Sequence, residues 1–318
     1  MAKHARVLVF VLFLLLVLAV HTVRVARGQV AVPDFPPAAP RVLVPEDFVP
    51  DANFTSENPG ALQWGAPSRF GLGRISGQAE RDTGLGTTKK TNYDGYYAGL
   101  RWVTEVFTLG GEVVNLESAD NDYQTDVANA AVAFPVLKQL AVGIGLDTSK
   151  TENGSATDTR SAPTLGLSVN LNDRFYIGLA LGREYLHRKQ GGGTDFDSDR
   201  ATQAFGIGFR TGGTGTQLHL EYDVIARDAH EDQSNFKFDE QDQSHIVVEL
   251  NWASLLLSGR YVDFKIDNTE GTTQIYALGW APKKGLALLG QVELSSAEDG
   301  NGLKTDATVY TISLAYQF

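Results

Sequence analysis

The chain has 318 residues, no cysteine, and 38 acidic against 27 basic side chains, for a formal net charge of −11. Without cysteine there can be no disulfide, no thiolate chemistry and no cysteine-based metal site. The acidic balance argues against a nucleic-acid partner, since phosphate contacts draw on Lys and Arg.

Taken from the start, residues 1–28 read as a secretory signal peptide. Lys3 and Arg6 precede an unbroken apolar run from Val7 to Val20, and Ala26-Arg27-Gly28 supplies a small-x-small cleavage pattern. The run falls short of the roughly 20 residues of a membrane-spanning helix. Its removal takes away four basic residues and no acid, which moves the net charge from −11 to −15. Residues 29–67 then hold Pro33, Pro36, Pro37, Pro40, Pro45, Pro50, Pro59 and Pro67. Proline this dense is incompatible with a helix interior or a central strand. The expectation is an irregular, hatch-like segment that either fills a pore or lies beside it.

From Ser68 to Phe318 the pattern changes to period two. Leu218, Leu220, Tyr222 and Val224 alternate with His219, Glu221 and Asp223; Ile246, Val248, Leu250 and Trp252 alternate with Val247, Glu249 and Asn251. Stretches of about ten such residues, broken by turn residues, are the mark of an antiparallel transmembrane β-barrel. About fourteen are expected, over 68–81, 92–105, 107–118, 123–134, 138–150, 160–171, 174–188, 199–211, 215–229, 241–252, 254–267, 272–282, 285–297 and 305–318. Registry is least clear at 68–81, 107–118 and 254–267, where charges fall on both parities and a bulge could shift the face. Tight turns are expected near Val106, Val136-Leu137, Asn172-Asp173, Gly212-Gly213, Ala253 and Lys283-Lys284. Longer polar connections are expected at 82–91, 151–159, 189–198, 230–240 and 298–304. This alternation of short and long suits periplasmic turns on one rim and external loops on the other. The fold class is therefore all-β, a single barrel of about 14 strands behind an irregular N-terminal segment.

The last strand places Tyr310, Ile312, Leu314, Tyr316 and Phe318 on one face, with Tyr316 and Phe318 suited to an interfacial aromatic girdle. A chain ending on Phe in this way resembles the assembly signal of bacterial outer-membrane barrels. That resemblance implies the barrel-assembly machinery as a partner, and an outer-membrane location with lipid and lipopolysaccharide as surroundings. Just before the first strand, Asn58-Pro59-Gly60-Ala61-Leu62 resembles the Asn-Pro-Ala-x-Leu segment of the long-chain fatty-acid transporter (FadL) family, with Gly60 where that family usually has Ala. The resemblance implies that this segment ends an N-terminal hatch plugging a fourteen-stranded barrel, and that the cargo is hydrophobic. The connections here are shorter and more hydrophilic than the resemblance implies, and none offers an apolar groove.

On the lumen face, parity places small residues on one wall: Ala141, Gly143 and Gly145; Gly166 and Ser168; Gly178, Ala180 and Gly182; Ala204, Gly206 and Gly208. It places His219, Glu221, Asp223, His245 and Glu249 on the opposite wall, joined by Arg101 and Glu112. The small residues either leave an open bore or make room for the hatch. The charges either pair with one another and fill the barrel or line a wet, cation-preferring pore. Enzyme motifs are weak. His187 and His230 lie near strand ends, with Asp228 and Glu231 flanking His230, but there is no Gly-x-Ser-x-Gly elbow. Asp195, Asp197 and Asp199 alternate in one loop and Asp239, Glu240 and Asp242 crowd another, which reads as solvated acid or as a divalent-ion bridge to surface lipid rather than a built metal site. No cofactor motif is present. The reading is a non-enzymatic outer-membrane channel for passive uptake of small molecules. A closed structural or partner-binding barrel and a general polar or ion porin are the alternatives.

Overall fold

The computed structural model describes residues 58–64 and 68–317, apart from positions 83, 85–86, 119–122, 154–155, 173, 190–194, 213–215, 228–229, 232–236, 239–240, 253, 267–268 and 281–284. The signal peptide, residues 29–57 and 65–67, and Phe318 lie outside the described residues. So do the turns read at Gly213, Ala253 and Lys283-Lys284, and the acids Asp228, Asp239 and Glu240.

A 3-10 helix, Pro59–Trp64, precedes the strands β1 (Arg69–Asp82), β2 (Thr88–Val103), β3 (Thr108–Ser118), β4 (Tyr123–Leu137), β5 (Leu140–Asn153), β6 (Ala156–Asn170), β7 (Phe175–Lys189), β8 (Phe196–Gly212) and β9 (Thr216–Arg227). A short hairpin follows, β10 (His230–Glu231) with β11 (Lys237–Phe238). The chain then returns to the barrel as β12 (Gln241–Trp252), β13 (Leu255–Ile266), β14 (Thr269–Trp280), β15 (Gly285–Glu298) and β16 (Lys304–Gln317). Fourteen strands, all but β10 and β11, form one closed antiparallel barrel in which each pairs with its sequence neighbours. Closure comes from β1 against β16, from Arg69↔Gln317 to Arg81↔Thr305. Full closure leaves no unpaired edge, as a strand structure in hydrocarbon requires.

The alternation in the sequence becomes two surfaces. On β12, Ile246 and Val248 are exposed while His245, Val247 and Glu249 are buried. On β16, Tyr310, Ile312, Leu314 and Tyr316 are exposed while Thr311 and Ser313 are buried. The outward face carries two aromatic rows. Trp102, Phe134, Phe175, Trp252, Trp280 and Tyr316 lie towards the near rim, where Arg69 and Gln317 meet, and Tyr96, Tyr185, Tyr222, Tyr261, Tyr276 and Tyr310 lie towards the far rim. Aromatic rows bounding an apolar belt are what a lipid-embedded barrel needs at its two interfaces.

The near-rim turns after β2 and β6 are tight and self-satisfied. Thr104 Oγ1 accepts from Val106 N and Phe107 N and donates to Phe107 O. Asn172 Oδ1 accepts from Arg174 N and Phe175 N, the side-chain-to-backbone pattern that makes Asn a turn residue. Three or more far-rim connections are shorter than the sequence suggests, while the one between β9 and β12 spans 228–240 and is longer. β5 and β6 run on to Asn153 and Ala156, through most of the stretch read as a loop at 151–159, and β2, β8 and β14 begin three or four residues early. Above the lipid both faces of a strand meet water, so the apolar–polar alternation that reveals a strand disappears. The stretches of unclear registry form unbroken ladders. In the first of them the off-parity charges Arg74 and Glu80 sit on the outer face towards the far rim and are paired there, Arg74 with Asp94 at 2.7 Å and Glu80 with Lys90. Among the described strands the register shifts between Pro135 and Leu137, at a strand end, where proline's missing N–H costs least.

Candidate functional site

Lumen-facing residues sort into a floor, a charged wall and an apolar wall. The floor is the turn Asn58–Trp64, which lies against the inner faces of β3 to β7. Asn58 is buried and ties both ends of its amide: Oδ1 accepts from Gly60 N at 3.0 Å, and Nδ2 donates to Leu167 O on β6 at 3.1 Å. Pro59 suits the first helical position because its absent N–H has no intrahelical partner to lose. Leu62 packs on Ala131 and Ala133 of β4, and its carbonyl accepts from the Arg101 guanidinium of β2. Thr108 Oγ1 donates to Gln63 Oε1 at 3.2 Å.

The small-residue wall exists to admit this turn. A Cβ on Gly143 would stand 2.3 Å from Pro59 C, and one on Gly166 would stand 2.2 Å from Asn58 Oδ1. Both are well inside contact distance, so backbone meets backbone there and only glycine fits. Of the two uses the sequence leaves open for these residues, β5 and β6 show close packing against the turn. Beside it, Glu112 and Asn129 are joined reciprocally, with Asn129 Nδ2 donating to Glu112 Oε1 at 3.1 Å and Glu112 N donating to Asn129 Oδ1 at 3.2 Å.

The charged wall runs over β9 and β12. In register, His219 faces Glu249 and Asp223 faces His245. His219 Nδ1 lies 3.1 Å from Glu249 Oε2, and its Nε2 lies 3.3 Å from Glu221 Oε2. Ser258 Oγ donates to Glu249 Oε1 at 3.4 Å, and His245 Nε2 lies 3.3 Å from Gln243 Oε1. Asp223 and His245 are both 0 % exposed. At this level the barrel is packed by side chains.

Sequence reading missed the arginines that share the lumen with these acids. Arg260 on β13 is buried and stands opposite Val247, between the levels of His245 and Glu249. Farther up, Arg200 Nη2 donates to Glu184 Oε1 at 3.0 Å, and Arg227 Nε stands 3.9 Å from Glu184 Oε2. Arg188 grips Asp158 through two bonds of 2.8 Å. The same alternation could have found them, since counting by twos from Gly178 reaches Glu184 and from Gly208 reaches Arg200. The expectation of an acid-dominated lumen therefore gives way to a mixed one, in which inward arginines answer the carboxylates.

Across the barrel from β6–β9, in ring order, stand β15, β16, β1 and β2. There the far half of the lumen carries an apolar cluster beside polar residues such as Thr91 and Ser295. Ala79, Tyr93 and Ala307 form a buried cluster with Leu116 and Tyr123 packed on it, and the Tyr93 and Tyr123 rings meet edge to face at 5.6 Å. Val262 and Ile275 form a second cluster, with Phe264 buried beside it on β13.

Of the residues weighed for catalysis and metals, His187, Asp195, Asp197, Asp199 and Asp242 have described side chains. His187 Nδ1 contacts Asp197, and Asp199 pairs with Arg183, all towards the far rim. Among the described residues no three His, Asp or Glu side chains converge as metal ligands.

No protein-family model and no curated protein matches the sequence. Solved structures of similar shape do exist. The Ralstonia pickettii toluene transporter TbuX superposes with a TM-score of 0.55 at 12% identity, over 88% of this chain and 96% of that one. A monoaromatic hydrocarbon channel, the TodX deltaS2S3 mutant, gives 0.57 at 10% identity, over 82% and 93%. A Pseudomonas aeruginosa FadL homologue gives 0.54 at 9% identity, over 92% and 100%. In fold, then, this chain is a FadL-like fourteen-stranded β-barrel.

Proposed function

We propose that the protein is an outer-membrane channel for the passive uptake of small hydrophobic compounds. The observation that carries this reading is the apolar wall of Ala79, Tyr93, Leu116, Tyr123 and Ala307 in the far half of the lumen, above a floor made by Asn58–Leu62. A polar-solute pore has no use for buried tyrosine and leucine on its inner face, whereas a hydrophobic solute entering from one rim would be held there until the floor moves. Transport channels for monoaromatic hydrocarbons share the fold, which agrees with a non-enzymatic role.

In this reading residues 1–28 direct export, residues 29–67 act as a hatch ending at the floor, and 68–318 span the membrane. The near rim faces the periplasm. Tyr310, Ile312, Leu314, Tyr316 and Phe318 present the closing strand to the barrel-assembly machinery, and lipopolysaccharide surrounds the far rim. The full chain in liposomes should admit a labelled aromatic hydrocarbon in preference to a sugar, and removal of residues 29–67 should raise conductance. If neither form passes any labelled solute, transport fails as a function.

The second reading is a barrel whose pore stays shut. Complete burial of Asp223 and His245 favours it, and the same uptake assay decides between the two.

A further inference from the structure

The lipid-facing wall carries a hollow that the channel has no use for. On β13 and β15 the outward series Leu257-Gly259-Tyr261 and Leu288-Gly290-Val292 each lose a side chain in mid-belt. Gly259 stands level with Tyr276 of β14, and Gly290 stands level with Leu278 two residues along the same strand. The result is a hollow of about 860 Å³ bounded by Leu257, Leu278 and Ile312, with Tyr276 and Tyr310 at its upper edge.

Crowding does not explain these glycines. A Cβ at Gly259 would meet nothing within 4 Å, and one at Gly290 only the Leu278 carbonyl oxygen at 3.9 Å. At Gly143 and Gly166, by contrast, a Cβ would collide with the floor turn. Larger side chains would fit at 259 and 290, and along the same strands Leu257 and Leu288 occupy the equivalent outward positions.

The position decides what can fill the space. Trp252 and Trp280 lie below it and Tyr276 and Tyr310 above, so it opens on the hydrocarbon layer between the two aromatic rows. Water has no polar partners among leucines and isoleucine, and an empty hollow would forfeit dispersion contacts along its lining. At the upper edge Tyr276 Oη donates to Gln274 Oε1 at 2.8 Å. Polar groups thus begin at the height of the membrane interface, where lipid esters lie.

We propose that this hollow seats one acyl chain of a membrane lipid, with the lipid's ester region against Tyr276, Gln274 and Tyr310. It is a lipid site on the outside of the barrel, independent of what crosses the lumen.

The test uses the full chain in mild detergent, titrated with dipalmitoyl phosphatidylethanolamine and followed by native mass spectrometry. Wild type should hold the lipid at least about tenfold more tightly than Gly259→Leu/Gly290→Leu, a difference of about 1.4 kcal/mol. Equal binding by the two proteins overturns the proposal. So does a wild-type dimer that the substitutions convert to monomer, since that would assign the face to a second copy of the chain. If the double variant fails to fold, Gly259→Cys introduces the only thiol of a cysteine-free chain. A nitroxide there must lose mobility when the lipid is added; a label indifferent to lipid overturns the proposal.

Discussion

The inner faces of β5–β6 and of β9–β12 are built from opposite materials. One is reduced to Gly143, Gly166 and Ser168; the other carries His219, Glu221, Asp223, His245 and Glu249. Both end up packed, by different means. The glycine wall admits a segment of backbone, Asn58–Leu62, whose polar groups are met by Leu167 O and Arg101. The charged wall fills its own space, with His219 set between Glu221 of its own strand and Glu249 of the next. Small inward residues in a barrel are thus no evidence of an open bore, and inward charges are no evidence of a wet one.

The contrast can be broken from either side. The largest effect should come from the buried ion pairs of β7 and β8, beside the charged wall. Glu184→Ala leaves Arg200 and Arg227 facing each other, both about 10 % exposed or less at the side chain. Removing one member of a buried pair costs about 3–5 kcal/mol, so the denaturant midpoint should fall clearly; a variant as stable as wild type would show that the pair is not buried in solution. On the glycine wall, Gly166→Ala drives a methyl into Asn58 Oδ1. Overpacking of this kind costs about 1–3 kcal/mol. Because the turn is held by few bonds, the strain should appear as a displaced floor and a larger single-channel conductance. Unchanged conductance would mean that the floor does not limit passage.

A third experiment asks whether the charged wall also selects ions. Glu221→Lys with Asp223→Lys should shift the bilayer reversal potential towards anions if permeating ions reach these side chains, and leave it fixed if the wall is purely structural. The smallest effect lies outside both walls, in the far-rim turn after β15. The backbone N–H groups of Leu303 and Asn301 hold the Asp299 carboxyl below the usual carboxylate range. A depressed carboxylate stabilises the turn above its unfolded pKa, and that contribution fades as pH falls through the folded value. Amide exchange at Leu303 should therefore rise, relative to its intrinsic rate, on acidification in wild type and stay level in Asp299→Asn.

The fold was legible in the sequence because lipid enforces period two. Ile246, Val248 and Trp252 had to face out, so His245, Val247 and Glu249 had to face in, and the paired strands follow. Legibility failed where lipid stops acting. Glu152 and Asp158 lie near the far rim at the tip of a hairpin whose polar residues meet no lipid, so residues 151–159 read as a loop. For the same reason Glu184 and Arg200, near stretches taken for loop ends, were left out of the lumen tally. The site was legible only as a list. Nothing in Asn58-Pro59-Gly60 announces Gly166 or Leu167, because more than a hundred residues separate the turn from the wall that holds it. The Arg101–Leu62 contact depends on the closed ring in the same way.

The seam has a temporal meaning. β1 cannot meet β16 until the last strand has been made and delivered, so the ring seals last, by the contact of longest sequence separation. The Asn58–Trp64 turn lies immediately upstream of β1 yet ends up enclosed by β3 to β7. It reaches those strands from inside the ring, so the floor is whole only once β3 to β7 and the seam are both in place. The turn and the last strand thus depend on each other, since one lines the ring that the other completes.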